Sequence, residues 1–144
     1  MNWIFDIDGT LSDLSHRLHY IKDGKKDWKA FFANCGADAP IPEVIEIVRL
    51  VYPEHTVLLV TGRSDECQFE TINWLVENLV PFHALYMRKA GDYREDSIVK
   101  SELLDKLRGE WGSDIAGVFE DRSQVVQMYR SKGLRVFQVA EGKF

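Results

Sequence analysis

The chain has 144 residues, 45% of them apolar, and a net charge of −5, which suits one domain around one core and excludes both a disordered chain and a broad basic face for duplex nucleic acid. Its two cysteines, Cys35 and Cys67, have no metal-site spacing and form no disulfide framework. With no signal peptide and no apolar run near ~18 residues, the expectation is a cytoplasmic protein that is neither exported nor membrane-spanning.

The apolar run Trp3-Ile4-Phe5 reads as a short buried strand. It leads into two carboxylates, Asp6 and Asp8, and Gly9 then permits a sharp turn into Thr10. Residues 12–36 form a polar and aromatic insert. Its Trp28, Phe31 and Phe32 recur at helical spacing and predict a small helix on the sheet. His16, His19, Tyr20 and Trp28 are either core aromatics or faces on which a base could stack, and for Trp28 the core reading is preferred. A loop over 36–42 precedes a helix over 43–51 with Val44, Ile47, Val48 and Val51 on one face.

Residues 56–60, T-V-L-L-V, predict a buried parallel strand ending at Thr61-Gly62-Arg63. Ser64 or Asp65 caps the next helix, which carries Phe69, Ile72, Trp74 and Leu75 to about residue 79. Pro81 stops it, and 82–87 reads as a third strand. A charged loop over 88–96 leads to a helix over 97–107 with Ile98, Leu103, Leu104 and Leu107 inward. A strand over 115–119 ends in Glu120-Asp121-Arg122. A helix over 123–131, closed by Gly133, and a strand over 134–139 complete the chain. Strands alternating with helices imply an α/β fold: a five-stranded, mostly parallel sheet with helices on both faces, in three layers.

Three of these strands end in polar groups: Asp6 and Asp8, Thr61 and Arg63, Glu120 and Asp121. In a parallel sheet those ends share one edge, where such folds bind ligands. Carboxylates this close repel unless a cation lies between them, and Mg²⁺ suits hard oxygen ligands. Taken singly, each group has a plainer reading as a turn cap, a helix N-terminal acid or a solvated charge.

The string D-I-D-G-T-L resembles the first motif of the haloacid dehalogenase-like (HAD) superfamily of phosphotransferases. That resemblance implies a HAD-like Rossmannoid fold, with the insert as a minimal cap on a single domain over 1–144. It implies Asp6 as nucleophile, forming an aspartyl-phosphate, and Asp8 as acid and base. Thr61 resembles the second motif, a hydroxyl that binds the phosphoryl group. Lys100 resembles the third, with Asp96 four residues earlier to orient it. The metal set is Asp6, Asp8, Glu120 and Asp121, and Thr10 joins the substrate contacts.

The stretches G-D-Y-R-E-D-S-I-V-K-S-E and E-D-R-S-Q-V-V-Q-M-Y-R-S-K-G, with the ending Q-V-A-E-G-K-F, resemble the 3′-phosphatase domain of bacteriophage polynucleotide kinase/phosphatase. This similarity covers nearly the whole chain and is weakest over 13–52. It implies that Arg17 and Arg63 bind the substrate phosphate. Arg88 is either a third such arginine or a solvated loop charge. Glu120 stands where that family usually has Asp, which implies a tuned metal geometry. With no P-loop, the expectation is a stand-alone phosphatase.

The function so implied is a Mg²⁺-dependent phosphomonoesterase that removes 3′-phosphates from DNA or RNA ends, with a functional link to a separate kinase or ligase. The opening of 2′,3′-cyclic phosphates is a variant of it. A nucleotidase acting on free mononucleotides is the alternative, mildly favoured by the acidic charge. A HAD-like binding module is disfavoured by the presence of both Asp6 and Asp8.

Overall fold

The computed structural model describes residues 1–142, so the last two residues of the Q-V-A-E-G-K-F ending lie outside the described residues. The strands are β1 (Asn2–Phe5), β2 (Ser12–Asp13), β3 (Ala39–Pro40), β4 (Thr56–Ser64), β5 (Ala84–Arg88), β6 (Ile115–Arg122) and β7 (Val136–Gly142). The helices are α1 (Trp28–Ala33), α2 (Pro42–Val51), α3 (Gln68–Glu77), α4 (Asp96–Trp111) and α5 (Ser123–Ser131). One five-stranded sheet has the order β5-β4-β1-β6-β7, and all of its pairings are parallel.

The alternation of strand side chains sorts the core into two layers. Ile4, Leu58, Val60 and Val118 face α4 and α5, where they meet Leu104, Leu107, Val126 and Tyr129. Phe5, Val57 and Leu59 face the other way, onto Val44, Ile45 and Val48 of α2 and Trp74 and Leu75 of α3. This is the three-layer α/β architecture that the β/α alternation implies.

Several elements differ from the sequence reading. β4 and β6 run past their expected ends through irregularities in register, between Thr61 and Ser64 and between Glu120 and Arg122. The polar groups of those strand ends therefore sit on bulged strand, which re-aims side chains. The expected loop over 36–42 contains a short helical turn, Cys35–Ala37, and β3, which pairs antiparallel with β2 (Ser12 with Pro40). That ribbon pins both ends of the insert. Ser64 does cap, but on the short turn Asp65–Cys67, while Asp65 accepts instead from the Ala90 amide at 3.0 Å.

α4 starts one residue earlier than expected and runs to Trp111. Its inward stripe is Asp96, Lys100, Leu104 and Leu107, a period that carries ion-pairing groups at the sheet edge and leucines below. Ile98 consequently points outward, 45% exposed, and Phe69 of α3 is 79% exposed. Trp28 also departs from the core reading, at 37% exposed, whereas Phe31 and Phe32 are buried in a third cluster with Leu14, Cys35 and Cys67. Among the described residues no helix is long and apolar enough to cross a membrane.

Candidate active site

β1 delivers Asp6 to the C-terminal edge of the sheet, and the turn after it is built on one carbonyl. The amides of Thr10, Leu11 and Ser12 all donate to Ile7 O, at 3.1, 2.8 and 3.0 Å. Gly9 sits at φ +84°, and a Cβ there would lie 2.1 Å from Asp121 Oδ2. Only glycine lets this turn approach the β6 carboxylate.

Around Asp6 the three strand ends and α4 converge. Lys100 Nζ donates to Asp6 Oδ1 and to Glu120 Oε2, each at 2.8 Å, and lies 3.6 Å from Asp96 Oδ2. Thr10 Oγ1 donates to Asp6 Oδ2 at 3.2 Å. Lys100, Asp6, Glu120 and Asp121 are all at most 3% exposed. Carboxylate oxygens of Asp6, Glu120 and Asp121 lie within 4.8 Å of one another. Asp8 is not in that group, so three of the four carboxylates of the expected metal set lie together.

Three carboxylates thus face one ammonium, so that full ionisation would leave two negative charges uncompensated. Burial, and then the charge of Glu120, push the Asp6 carboxyl well above its usual range against the pull of Lys100. Burial likewise lifts Glu120 to about 7, and burial with the nearby Asp6 lifts Asp121 to about 7. Burial alone would lower Lys100, but Asp6, Glu120 and Asp96 outweigh it and hold the ammonium charged. Asp121 Oδ1 is buried without a hydrogen-bond partner. A divalent cation with hard oxygen ligands fits all of these observations: it restores neutrality and satisfies the orphaned oxygen.

Asp8 stands in a second, adjoining network. Its Oδ1 accepts from Arg17 Nη2 at 2.7 Å and from Arg63 Nη2 and Nε at 2.7 and 2.9 Å. Among the described residues no donor meets Oδ2. Burial would raise this carboxyl, but the Arg63 and Arg17 charges prevail and hold it well below the usual carboxylate range. Behind it, Asp38 accepts from Arg17 Nε (2.8 Å), Arg17 Nη2 (2.7 Å) and Arg63 Nη2 (3.0 Å), and pairs with His16 Nε2 at 2.6 Å. Its carbonyl accepts from Trp74 Nε1 at 2.7 Å, which fixes it to α3. Arg63 Nη1 also donates to Thr71 Oγ1 at 3.2 Å.

The sequence-derived residues are therefore brought together, in an arrangement that the sequence does not specify. Arg17 and Arg63 are 0% exposed and do not line the cleft; their forks hold Asp8 from behind. Thr61 is buried on the same edge, and its hydroxyl accepts from the Arg63 amide at 3.1 Å. Arg88 is neither solvated nor bonded to the carboxylates of Asp6, Glu120 and Asp121. It donates to the carbonyls of Gly62, Asp92 and Arg94 and to Asp96 Oδ1, bracing the loop between β5 and α4. Asp96 in turn faces Arg88, Arg122 and Lys100, and these charges overcome its burial and lower its carboxyl. Asp38 was not legible as a site residue: it lies in a loop without pattern, and only its tertiary partners reveal it.

Above the two networks opens a cleft with Asp6, Asp8, Glu120 and Asp121 on its floor. Leu18, Trp28 and Phe32 line it with apolar surface, and Arg88, Tyr93 and Arg122 complete the lining. The insert contributes Leu14, Leu18, Ile21, Trp28, Phe31 and Phe32 to this lining.

Comparisons with known proteins bear on the family and the fold. A family model described as the polynucleotide kinase PNKP phosphatase domain matches residues 1–144. A chain in the structure of a Pnkp1/Rnl/Hen1 complex superposes with a TM-score of 0.84 at 30% identity, over 99% of this chain and 46% of that one. This chain thus spans under half the length of that relative. Two more distant structures share the fold. The class C acid phosphatase from Bacillus anthracis with tungstate bound matches at TM-score 0.67 and 15% identity, over 99% of this chain and 66% of that one. L-2-haloacid dehalogenase from Xanthobacter autotrophicus matches at 0.69 and 10%, over 96% and 76%.

Proposed function

The chain belongs to the phosphatase-domain family of polynucleotide kinases and is a HAD-family phosphatase; on that premise we propose that it is a Mg²⁺-dependent enzyme that removes 3′-phosphates from polynucleotide ends. The observation that carries this reading is the Lys100-bridged cluster of Asp6, Glu120 and Asp121 on the floor of an open cleft. Nucleic-acid ends as substrate, RNA ends among them, are suggested by the kinship with a chain of the Pnkp1/Rnl/Hen1 RNA repair complex. The same kinship supports a functional link to a separate ligase or kinase, and a cytoplasmic setting fits such work.

As the phosphate docks, Asp8 takes up a proton from solvent; Asp6 then attacks phosphorus, and the bond from phosphorus to the sugar 3′ oxygen breaks as Asp8 gives that proton to the oxygen. Asp8 then takes a proton from water, which attacks the aspartyl-phosphate, releases inorganic phosphate and restores Asp6. Lys100 holds the attacking carboxylate in place and offsets charge on the phosphoryl oxygens. Asp6, Glu120 and Asp121 would hold Mg²⁺, which supplies further neutralisation of the transferring group. Arg17 and Arg63 act through Asp8: they anchor Oδ1 and leave Oδ2 to carry the proton. In the free protein they keep Asp8 ionised. A phosphate docking beside it adds negative charge and raises its proton affinity at the step where an acid is needed.

The test is phosphate release with Mg²⁺ from a 3′-phosphorylated oligonucleotide, a 5′-phosphorylated oligonucleotide and a 3′-mononucleotide. Preference for the first supports the proposal. Equal or faster turnover of the mononucleotide would replace it with a nucleotidase.

A further inference from the structure

The cleft continues away from the catalytic carboxylates. A second cavity adjoins it and shares Trp28, Phe32, Arg88, Asp92 and Tyr93 with the first, while reaching on to Lys29, Ser64, Glu66 and Gly91. Both cavities are thus bordered by the same two exposed aromatic rings. Trp28 is 37% exposed and Tyr93 is 75% exposed, while the neighbouring Phe31 and Phe32 are buried at 5% and 9%. One face of Phe31 is already taken by the Arg17 guanidinium, 4.4 Å from the ring centroid.

Trp28 is held ready rather than loose. Its ring meets Phe31 edge-on at 5.6 Å and lies near-parallel to Phe32 at 6.0 Å. Tyr93 stands on the loop that Arg88 braces through the carbonyls of Asp92 and Arg94, at 3.1 and 2.7 Å. Among the described residues Tyr93 stacks on no other ring. Two large rings kept exposed on ordered backbone, beside a phosphoryl-transfer site, present planar apolar surface at low entropy cost. A base supplies the matching planar face, and the exposed Lys29 on the adjoining cavity offers a cation to the next phosphate of a strand.

We propose that Trp28 and Tyr93 form a stacking subsite for the base of the nucleotide whose phosphate is removed, and that the adjoining cavity takes the next nucleotide. The preferred substrate is then an unpaired 3′ end of at least two nucleotides. The proposal rests on the phosphatase reading above and narrows it to single-stranded ends.

The experiment uses the full chain with Mg²⁺ and four substrates: a single-stranded 3′-phosphorylated hexanucleotide, the same hexanucleotide with an abasic terminal sugar, a 3′-mononucleotide and a simple aliphatic phosphomonoester. Wild type should favour the complete hexanucleotide over the abasic one by roughly 10- to 100-fold in kcat/KM, and over the mononucleotide by a smaller factor. Trp28→Ala and Tyr93→Ala should each bring the complete-to-abasic ratio toward one, chiefly through KM, and Trp28→Phe should restore most of it. Melting curves of the variants confirm that they are folded, and Tyr93, being largely exposed, gives the arm least open to a folding defect. A complete-to-abasic ratio near one in wild type, or one unchanged in both Ala variants, overturns the subsite and leaves the phosphatase reading standing. Turnover of the aliphatic phosphomonoester with none of any oligonucleotide overturns both the subsite and the polynucleotide 3′-end reading.

Discussion

Replacing Asp38 by Ala removes the carboxylate that Arg17 and Arg63 share with Asp8. Both guanidinium side chains and Asp38 itself are fully buried, so water cannot take over the lost contacts. Three arginine hydrogen bonds, at 2.7 to 3.0 Å, are lost, and His16 loses its 2.6 Å partner; the two Nη2 groups keep Asp8 Oδ1, while Arg17 Nε is left unpaired. Breaking a buried pair by removing one partner costs about 3–5 kcal/mol. Asp8 still compensates part of the arginine charge, which places the expected loss near the lower end, about 3 kcal/mol. For a chain of this size that corresponds to a fall in Tm of roughly 6–12 °C. Urea unfolding should show the midpoint falling with the slope unchanged. Asp38→Asn keeps one oxygen acceptor and should lose less. His16→Ala removes only a partly exposed partner, 41% accessible, and should cost under about 1 kcal/mol. A loss below about 1 kcal/mol in Asp38→Ala would refute the view that this carboxylate fixes the arginine pair.

Asp6→Asn should lower kcat by on the order of 10⁴-fold while the far-UV circular dichroism stays unchanged; a variant that keeps a tenth of wild-type rate removes Asp6 as nucleophile. Turnover should vanish in excess EDTA and return with Mg²⁺, and Mg²⁺ should raise Tm in wild type more than in Asp121→Asn, which a melting series checks. The pH dependence has a definite sign: Glu120 and Asp121 are raised to about 7 in the folded chain, so between about pH 4 and pH 7 the folded state binds more protons than the unfolded one. Metal-free protein should therefore lose the stability contributed by these two groups as pH rises through that window, and Mg²⁺ should offset the loss above it; a flat Tm profile in EDTA would contradict this. Gly62→Ala would set a Cβ 2.0 Å from Asp96 Oδ1, displacing the residue beside Lys100; kcat/KM should fall about 100-fold, and wild-type activity would show that the position of Asp96 is immaterial.

The sequence alone determined those features that depend on covalent neighbours. An apolar strand running into Asp-x-Asp-Gly-Thr places Asp6, Asp8 and Thr10 within one turn of each other whatever the rest of the chain does. β-branched runs marked the strands because a parallel sheet buried on both faces needs apolar residues in succession. A parallel sheet then forces Asp6, Thr61 and Glu120 to a common edge. What the sequence could not contain is the choice of partners at that edge. Arg63 reaches Asp8 across 55 positions and Arg17 reaches Asp38 across 21, and no local pattern distinguishes an arginine that grips a ligand from one that grips a carboxylate. The phase of α4 is of the same kind. Apolar spacing pointed Ile98 inward, yet the helix turns so that Lys100 is buried and Ile98 exposed, because the ammonium is drawn to Asp6 and Glu120. Trp28 and Phe32 share a helical stripe, yet one is exposed and the other buried, since only the tertiary fold decides where the core ends and the cleft begins.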